Sequence, residues 1–220
     1  MSEKTRGKFI CIEGIDGCGK STQIQMLKDR IKSECYFTRE ESDGPIGKLI
    51  REEYLSGKRK CDERVINMLY AADRLDHLTN SIDGIKKYLD EGINVICDRY
   101  YLSSMAYNSY MMETPAQVRE SIIHTVTMNK YPIEELKPDL TIYIDLDIFE
   151  ALRRIHSNRD EISVYEDTDK MVAIHNAYNI AIELVKDTLH DEVTKVDANG
   201  LTPTELNDLI YEVVCRYIEE

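Results

Sequence analysis

Lys8-Phe9-Ile10-Cys11-Ile12-Glu13-Gly14-Ile15-Asp16-Gly17-Cys18-Gly19-Lys20-Ser21-Thr22 carries three signals in one run. Lys8 to Ile12 is short and almost wholly apolar, the pattern of a strand buried on both faces in a parallel sheet. Gly14 to Ser21 then fits G-x-x-x-x-G-K-[ST], a phosphate-binding loop. A helix follows, with Ile24, Leu27 and Ile31 along one face. The spacing has a physical reason. Glycines let the backbone wrap so closely that successive N–H groups face a phosphate, and the helix N-terminus adds partial positive charge. Lys20 is set to reach the outer phosphates and the Ser21 hydroxyl to ligate Mg²⁺. Gly14, Ile15, Asp16, Gly17, Cys18, Gly19, Lys20, Ser21 and Thr22 thus form a candidate cradle for ATP or GTP. The motif leaves the reaction open.

Outward from that run, further buried strands are expected at 93–97, 140–144 and 192–196, and a weaker one at 35–38. Helical patterns lie between them. One covers 82–89 and ends at Gly92, a C-terminal cap. The last begins Thr202-Pro203-Thr204-Glu205, a capping box with proline at the first helical position. Alternating strands and helices specify an α/β fold with a parallel sheet. The expectation is a three-layer α/β/α domain over 1–220, with five parallel strands and a polar lid segment near 154–168.

The 220 residues suit one compact core, and 42% apolar with 31% charged residues is ordinary for a globular protein. The net charge of -13 argues against a nucleic-acid polymer as partner. It leaves room for a small anion, because a few arginines in a cleft can focus positive potential. No apolar run approaches the ~20 residues that span a bilayer. Met1 to Lys8 has no apolar stretch of a secretory signal, so a cytoplasmic location is expected. The cysteines, Cys11, Cys18, Cys35, Cys61, Cys97 and Cys215, show no zinc spacing and read as free thiols.

A GTPase would carry N-K-x-D, whereas the nearest string, Asn129-Lys130-Tyr131-Pro132, ends in proline. Arginines stand instead near strand ends, at Arg39, Arg74 and Arg99, and in the lid region, at Arg153, Arg154 and Arg159. That distribution suits a second anionic substrate beside the triphosphate. Asp98 and Arg99 directly follow the apolar run 93–97. Ligands of open α/β sheets bind at the carboxyl ends of strands. Asp98 is therefore a candidate for holding Mg²⁺ or its waters, and Arg99 for holding a phosphate.

Together with the phosphate loop, five further strings resemble the thymidylate kinase family in order and spacing. They are Phe37-Thr38-Arg39-Glu40, Leu69 to Arg74, Asp98 to Tyr107 and Lys137 to Thr141, followed by Tyr165-Glu166. The resemblance implies transfer of the ATP γ-phosphoryl to dTMP with Mg²⁺, in a homodimer. It implies that Asp16 meets the sugar 3′-hydroxyl and that Arg39 and Arg99 grip the acceptor phosphate. Tyr70 would stack on the base and Arg74 hydrogen-bond it. Ser103 and Ser104 would lie near the base edge, Tyr107 near the deoxyribose, Phe37 beside the substrate, and Tyr165 over the acceptor. Without the resemblance, Tyr70 reads as a core aromatic and Arg74 as a helix-surface charge.

The chain departs from the family pattern at named places. Gly17 stands where some relatives have an arginine. Members that lack this arginine are expected to supply the catalytic arginine from the lid, here Arg159 or Arg154. Glu41 replaces a frequent proline, and no arginine directly precedes Tyr165. The alternatives are another deoxynucleotide or deoxynucleoside kinase, or, in a different class, a nucleotide-regulated binding module.

Overall fold

The computed structural model describes residues 5–156 and 164–218, with side chains for 5–155 and 168–218. The expected strands form, each ending one residue further on. They are β1 (Phe9–Glu13), β2 (Cys35–Arg39), β3 (Asn94–Asp98), β4 (Leu140–Asp145) and β5 (Val193–Asp197). All pair in parallel, in the order β2-β3-β1-β4-β5. β1 is central and every one of its side chains is buried. This is why its sequence runs apolar without alternation.

Ten α-helices are described: α1 (Lys20–Arg30), α2 (Pro45–Leu49), α3 (Glu63–Thr79), α4 (Ile85–Asp90), α5 (Tyr101–Tyr107), α6 (Pro115–Met128), α7 (Lys130–Glu135), α8 (Ile148–His156), α9 (Val164–Leu184) and α10 (Pro203–Ile218). π-helical turns at Ile50–Leu55 and Val185–Leu189 prolong α2 and α9. α1 packs on α10, while α5, α6, α8 and α9 form a second group, giving the α/β/α layering.

Local chemistry sets the boundaries. Thr202 and Glu205 exchange capping bonds at the start of α10, as expected. α4 starts at Ile85, not Ile82, because Asn80 Oδ1 accepts the N–H groups of Ile82 and Asp83 and holds them in a turn. Gly92 follows α4 with φ 75°. α1 stops at Arg30, and Ile31 is already extended, so it packs on the core from outside the helix.

The carboxyl ends of the strands place Glu13, Arg39, Asp98, Asp145 and Asp197 along one edge of the sheet. The phosphate loop leaves that edge from β1, between β3 and β4, where neighbouring strands part company in chain order. An open α/β sheet binds its ligands at such a crevice.

Candidate active site

A cleft of about 1450 Å³ opens along that edge. Its lining includes the phosphate loop from Asp16 to Thr22, together with Arg39, Tyr70, Arg74, Asp98, Arg99, Ser103, Ser104, Tyr107 and Arg154. Residues chosen from five separate stretches of sequence therefore meet at one opening.

The loop works through backbone shape. Gly17 has φ +79°, and a Cβ there would lie 2.5 Å from the Ala151 carbonyl oxygen of α8. That explains the glycine: no side chain fits, so the arginine some relatives carry at this position has no room here. Gly19, at φ 105°, is the N-cap of α1. Lys20 is 7% exposed, and its Nζ donates to the Gly14 and Ile15 carbonyls at 2.9 Å each. Its positive charge is therefore carried at the loop floor. Ser21 Oγ lies 3.5 Å from Asp98 Oδ2, and Asp98 Oδ1 is buried with no hydrogen-bond partner. A hydroxyl beside a carboxylate whose second oxygen lacks a donor fits Mg²⁺, which takes few protein ligands and keeps water and phosphate oxygens. No larger His/Cys/Asp/Glu metal cluster exists among the described residues.

The opposite wall centres on Arg99. Its backbone sits at φ 70°, a left-handed conformation rare for arginine. Nη2 pairs with Asp16, while Nη1 donates to Ser103 Oγ at 3.1 Å and to Tyr178 Oη at 3.3 Å. Tyr107 Oη donates to the other Asp16 oxygen at 3.1 Å. Against the cost of partial enclosure, the charges of Arg99 and Lys20 and the Tyr107 bond hold the Asp16 carboxyl below its ordinary pKa. Asp16 therefore stays an acceptor at neutral pH, the form needed to receive a hydroxyl.

Beneath Arg99 lies Glu13, fully buried at the end of β1. It accepts the backbone N–H groups of Tyr100 and Ser103, the Ser103 hydroxyl, and Tyr178 Oη at 3.1 Å. Burial raises its pKa against the pull of Arg99 and of these donors. Glu13 thus anchors the start of α5, and Tyr178 ties α9 to both the loop and Arg99. Neither was singled out in the sequence. Glu13 reads as the polar end of an apolar strand, and Tyr178 has no motif around it.

Arg39 pairs with Asp43 at 3.0 Å near the cleft mouth. Tyr70 Oη lies 3.4 Å from Glu41, whose other oxygen faces Arg51 at 3.4 Å. The glutamate that replaces the common proline is thus part of the cleft wall. Arg74 is only 1% exposed and is held by Glu40, Asn129 and Ser104, so it is not a surface charge. Phe37 is not brought to the cleft. It points from β2 toward α1, with Lys28 Nζ 5.4 Å from its ring, and lines a smaller cavity. Arg154 donates from Nε to Glu150 at 2.8 Å, and its Nη1 comes within 3.9 Å of where a Cβ on Gly19 would stand. Bonds from Arg153 and Arg154 lower Glu150 to a pKa of about 2, so this anchor remains charged. Arg159, the Tyr165 side chain and residues 157–163 of the lid segment lie outside the described residues.

The family model for thymidylate kinase matches residues 12–203. The chain belongs to the thymidylate kinase family. A probable thymidylate kinase of Methanococcus maripaludis (strain C6) is 39% identical over 155 residues, 70% of this chain and 68% of its own. The thymidylate kinase of Ligilactobacillus salivarius (strain UCC118) is 31% identical over 209 residues, covering 93% of this chain and 96% of its own. The solved thymidylate kinase of Candida albicans superposes with a TM-score of 0.73 at 24% identity, covering 95% of this chain and 91% of its own. That likeness is one of fold. The matched span holds the strings that form the cleft, from β1 through the start of α10.

Proposed function

We infer that this protein transfers the γ-phosphoryl group of ATP to dTMP, giving dTDP and ADP. The supporting observation is that one cleft holds two cationic sites. The phosphate loop with Lys20 forms one, and Arg99 with Asp16 and Tyr107 forms the other, with Arg39 at the mouth.

The chemistry asks little of a base. A phosphate monoester has its second pKa near ~6, so its oxygen is already ionised at neutral pH. The chain's task is alignment and charge neutralisation. Arg99 and Arg39 hold the acceptor phosphate, and Asp16, kept ionised, receives the sugar hydroxyl. Lys20 and the loop N–H groups hold the donor phosphates and meet the charge that develops on the transferred group. Ser21 and Asp98 are the residues that would hold Mg²⁺, which when bound neutralises charge on the donor phosphates. The 154–168 segment acts as the lid, excluding water so that ATP is not hydrolysed.

Gly17 has no room for an arginine, so the arginine that stabilises the transferred group comes from α8 or the lid. Arg154 stands beside the loop and fills that role, with Arg159 as the other candidate. Arg154→Ala is expected to lower kcat at least ~30-fold with KM for dTMP within about threefold of wild type, in line with loss of a charge-stabilising donor. A steady-state assay checks it, and an unchanged kcat would pass the role to Arg159.

The same reading includes a homodimer formed through helices and a cytoplasmic location. Val65 and Met68 of α3 and Ile123 of α6 are large apolar side chains exposed on neighbouring helices. Light scattering is expected to give twice the chain mass, and a monomer mass would refute the dimer. Among the described residues no helix is long and apolar enough to cross a membrane.

Incubation of ATP, Mg²⁺ and dTMP with the protein tests the reaction itself. Equal amounts of dTDP and ADP are expected. Slow ADP release that ignores dTMP would instead indicate a nucleotide-regulated binding module.

A further inference from the structure

Asn129 opens the string that fails as a GTPase motif, and the kinase reading gives it no task. The structure buries it to 1% exposure at the junction of α6 and α7. Its Oδ1 accepts from Arg74 Nη1, and its Nδ2 donates to the Thr125 carbonyl at 2.9 Å. On the other side, Glu40 takes Arg74 through Nε at 2.7 Å and through Nη2. Nη2 also donates to Ser104 Oγ at 3.0 Å, and the Arg74 guanidinium lies 5.2 Å from the Tyr100 ring.

We propose that Asn129 is a positioning residue for acceptor-base selection: with Glu40 it fixes Arg74 so that the remaining Arg74 N–H is held toward the base. This rests on the reading of the cleft as a dTMP site. Arg74 and Ser104 both line that cleft. An arginine has five N–H groups and no acceptor. Glu40, Asn129 and Ser104 engage both Nη groups and Nε, which leaves one Nη1 hydrogen without an acceptor among the described residues. Ser104 Oγ, having accepted from Arg74, can still donate its own hydrogen or accept on its second lone pair, so the discrimination falls to Arg74. A fixed Arg74 N–H suits the 4-keto oxygen of thymine. It opposes the 4-amino group of cytosine, which would leave a donor facing a donor.

The selectivity depends on Arg74 not turning. Glu40 alone grips Nε and Nη2 and leaves the guanidinium able to tilt about that edge. Asn129 takes the opposite corner, Nη1, and closes the grip. Its own carboxamide is held by the Thr125 carbonyl, so it cannot yield. A hydroxyl at position 129 would still reach the carbonyl four residues back in the helix but would fall short of Arg74. An aspartate would keep the acceptor for Nη1.

The test compares wild type, Asn129→Ser and Asn129→Asp in steady-state assays with dTMP and dCMP, alongside thermal melting. For Asn129→Ser we expect KM for dTMP to rise about 5- to 10-fold. The preference for dTMP over dCMP in kcat/KM is expected to fall about 10-fold, with KM for ATP within twofold of wild type. For Asn129→Asp the preference is expected to stay within threefold of wild type. Wild-type preference in Asn129→Ser overturns the proposal. So does an equal loss in both variants, or a change in melting alone, because each means the residue merely supports the fold. A wild-type protein that ignores dTMP would refute the kinase reading instead, so the two failures are distinguishable.

Discussion

Replacing Lys20 with alanine lowers dTDP formation at least ~100-fold while the protein remains folded. The ammonium is carried at the floor of the phosphate loop, 2.9 Å from two loop carbonyls. Among the described residues no other lysine lines the loop end of the cleft; Lys170, the second lysine of the described lining, belongs to α9. In a water-poor site, removal of one donor aimed at developing charge costs two to three powers of ten in rate. The fold is expected to survive, because α1 is held by Ile24 and Leu27 in the core and by its packing on α10. A coupled ADP assay with a circular-dichroism melt checks both halves. A near-normal rate in the folded variant would remove Lys20 from the mechanism.

Arg99→Ala is expected to cost at least ~100-fold as well, with a different signature. On the proposed reading Arg99 holds the acceptor phosphate, so KM for dTMP is expected to rise while KM for ATP changes little. Alanine at φ 70° bears the same kind of backbone strain as arginine there, so the substitution adds no new conflict in the main chain. Glu13 keeps its bonds from Tyr100, Ser103 and Tyr178, so the buried carboxyl is not stranded. Asp16 loses its strongest partner and keeps Tyr107. Lysine at this position restores the charge but not the fork that grips a phosphate with two N–H groups, so Arg99→Lys recovers only part of the loss. Equal shifts in both KM values, or none, would contradict this assignment.

The two sides of the cleft were not equally legible. The loop was, because its chemistry is local: strand, glycines, lysine and helix start are neighbours in sequence. The sheet was legible because strands covered on both faces are written as unbroken apolar runs. α3 was not, because it buries Asp73, Arg74 and His77. Charged residues at core positions erase the apolar stripe by which a helix is read, so Arg74 taken alone looks like a surface charge. Its burial is possible only because Glu40, Asn129 and Ser104 come from three other places to pair it, and an unpaired buried charge would cost several kcal/mol. Sequence spacing carries no trace of that meeting. The same holds for Tyr178, which reaches Glu13 across 165 residues.

Phe37 shows the opposite failure. It sits within a string that matches the family, yet two residues short of the strand end. Residues two apart on a strand share a face, so Phe37 and Arg39 turn to the same side, and Phe37 lies against α1. Arg39, two positions on, lies at the strand's end and so escapes the sheet into the cleft. A matching string fixes a neighbourhood, while the place where the strand ends decides which of its members reach the cleft.

The decisive measurement is ADP formation from ATP and Mg²⁺ with dTMP and with thymidine as separate acceptors. The arginine-lined berth predicts turnover with dTMP and none above background with thymidine, since only the former brings a phosphate for Arg39 and Arg99 to hold. Turnover with thymidine alone would contradict the account.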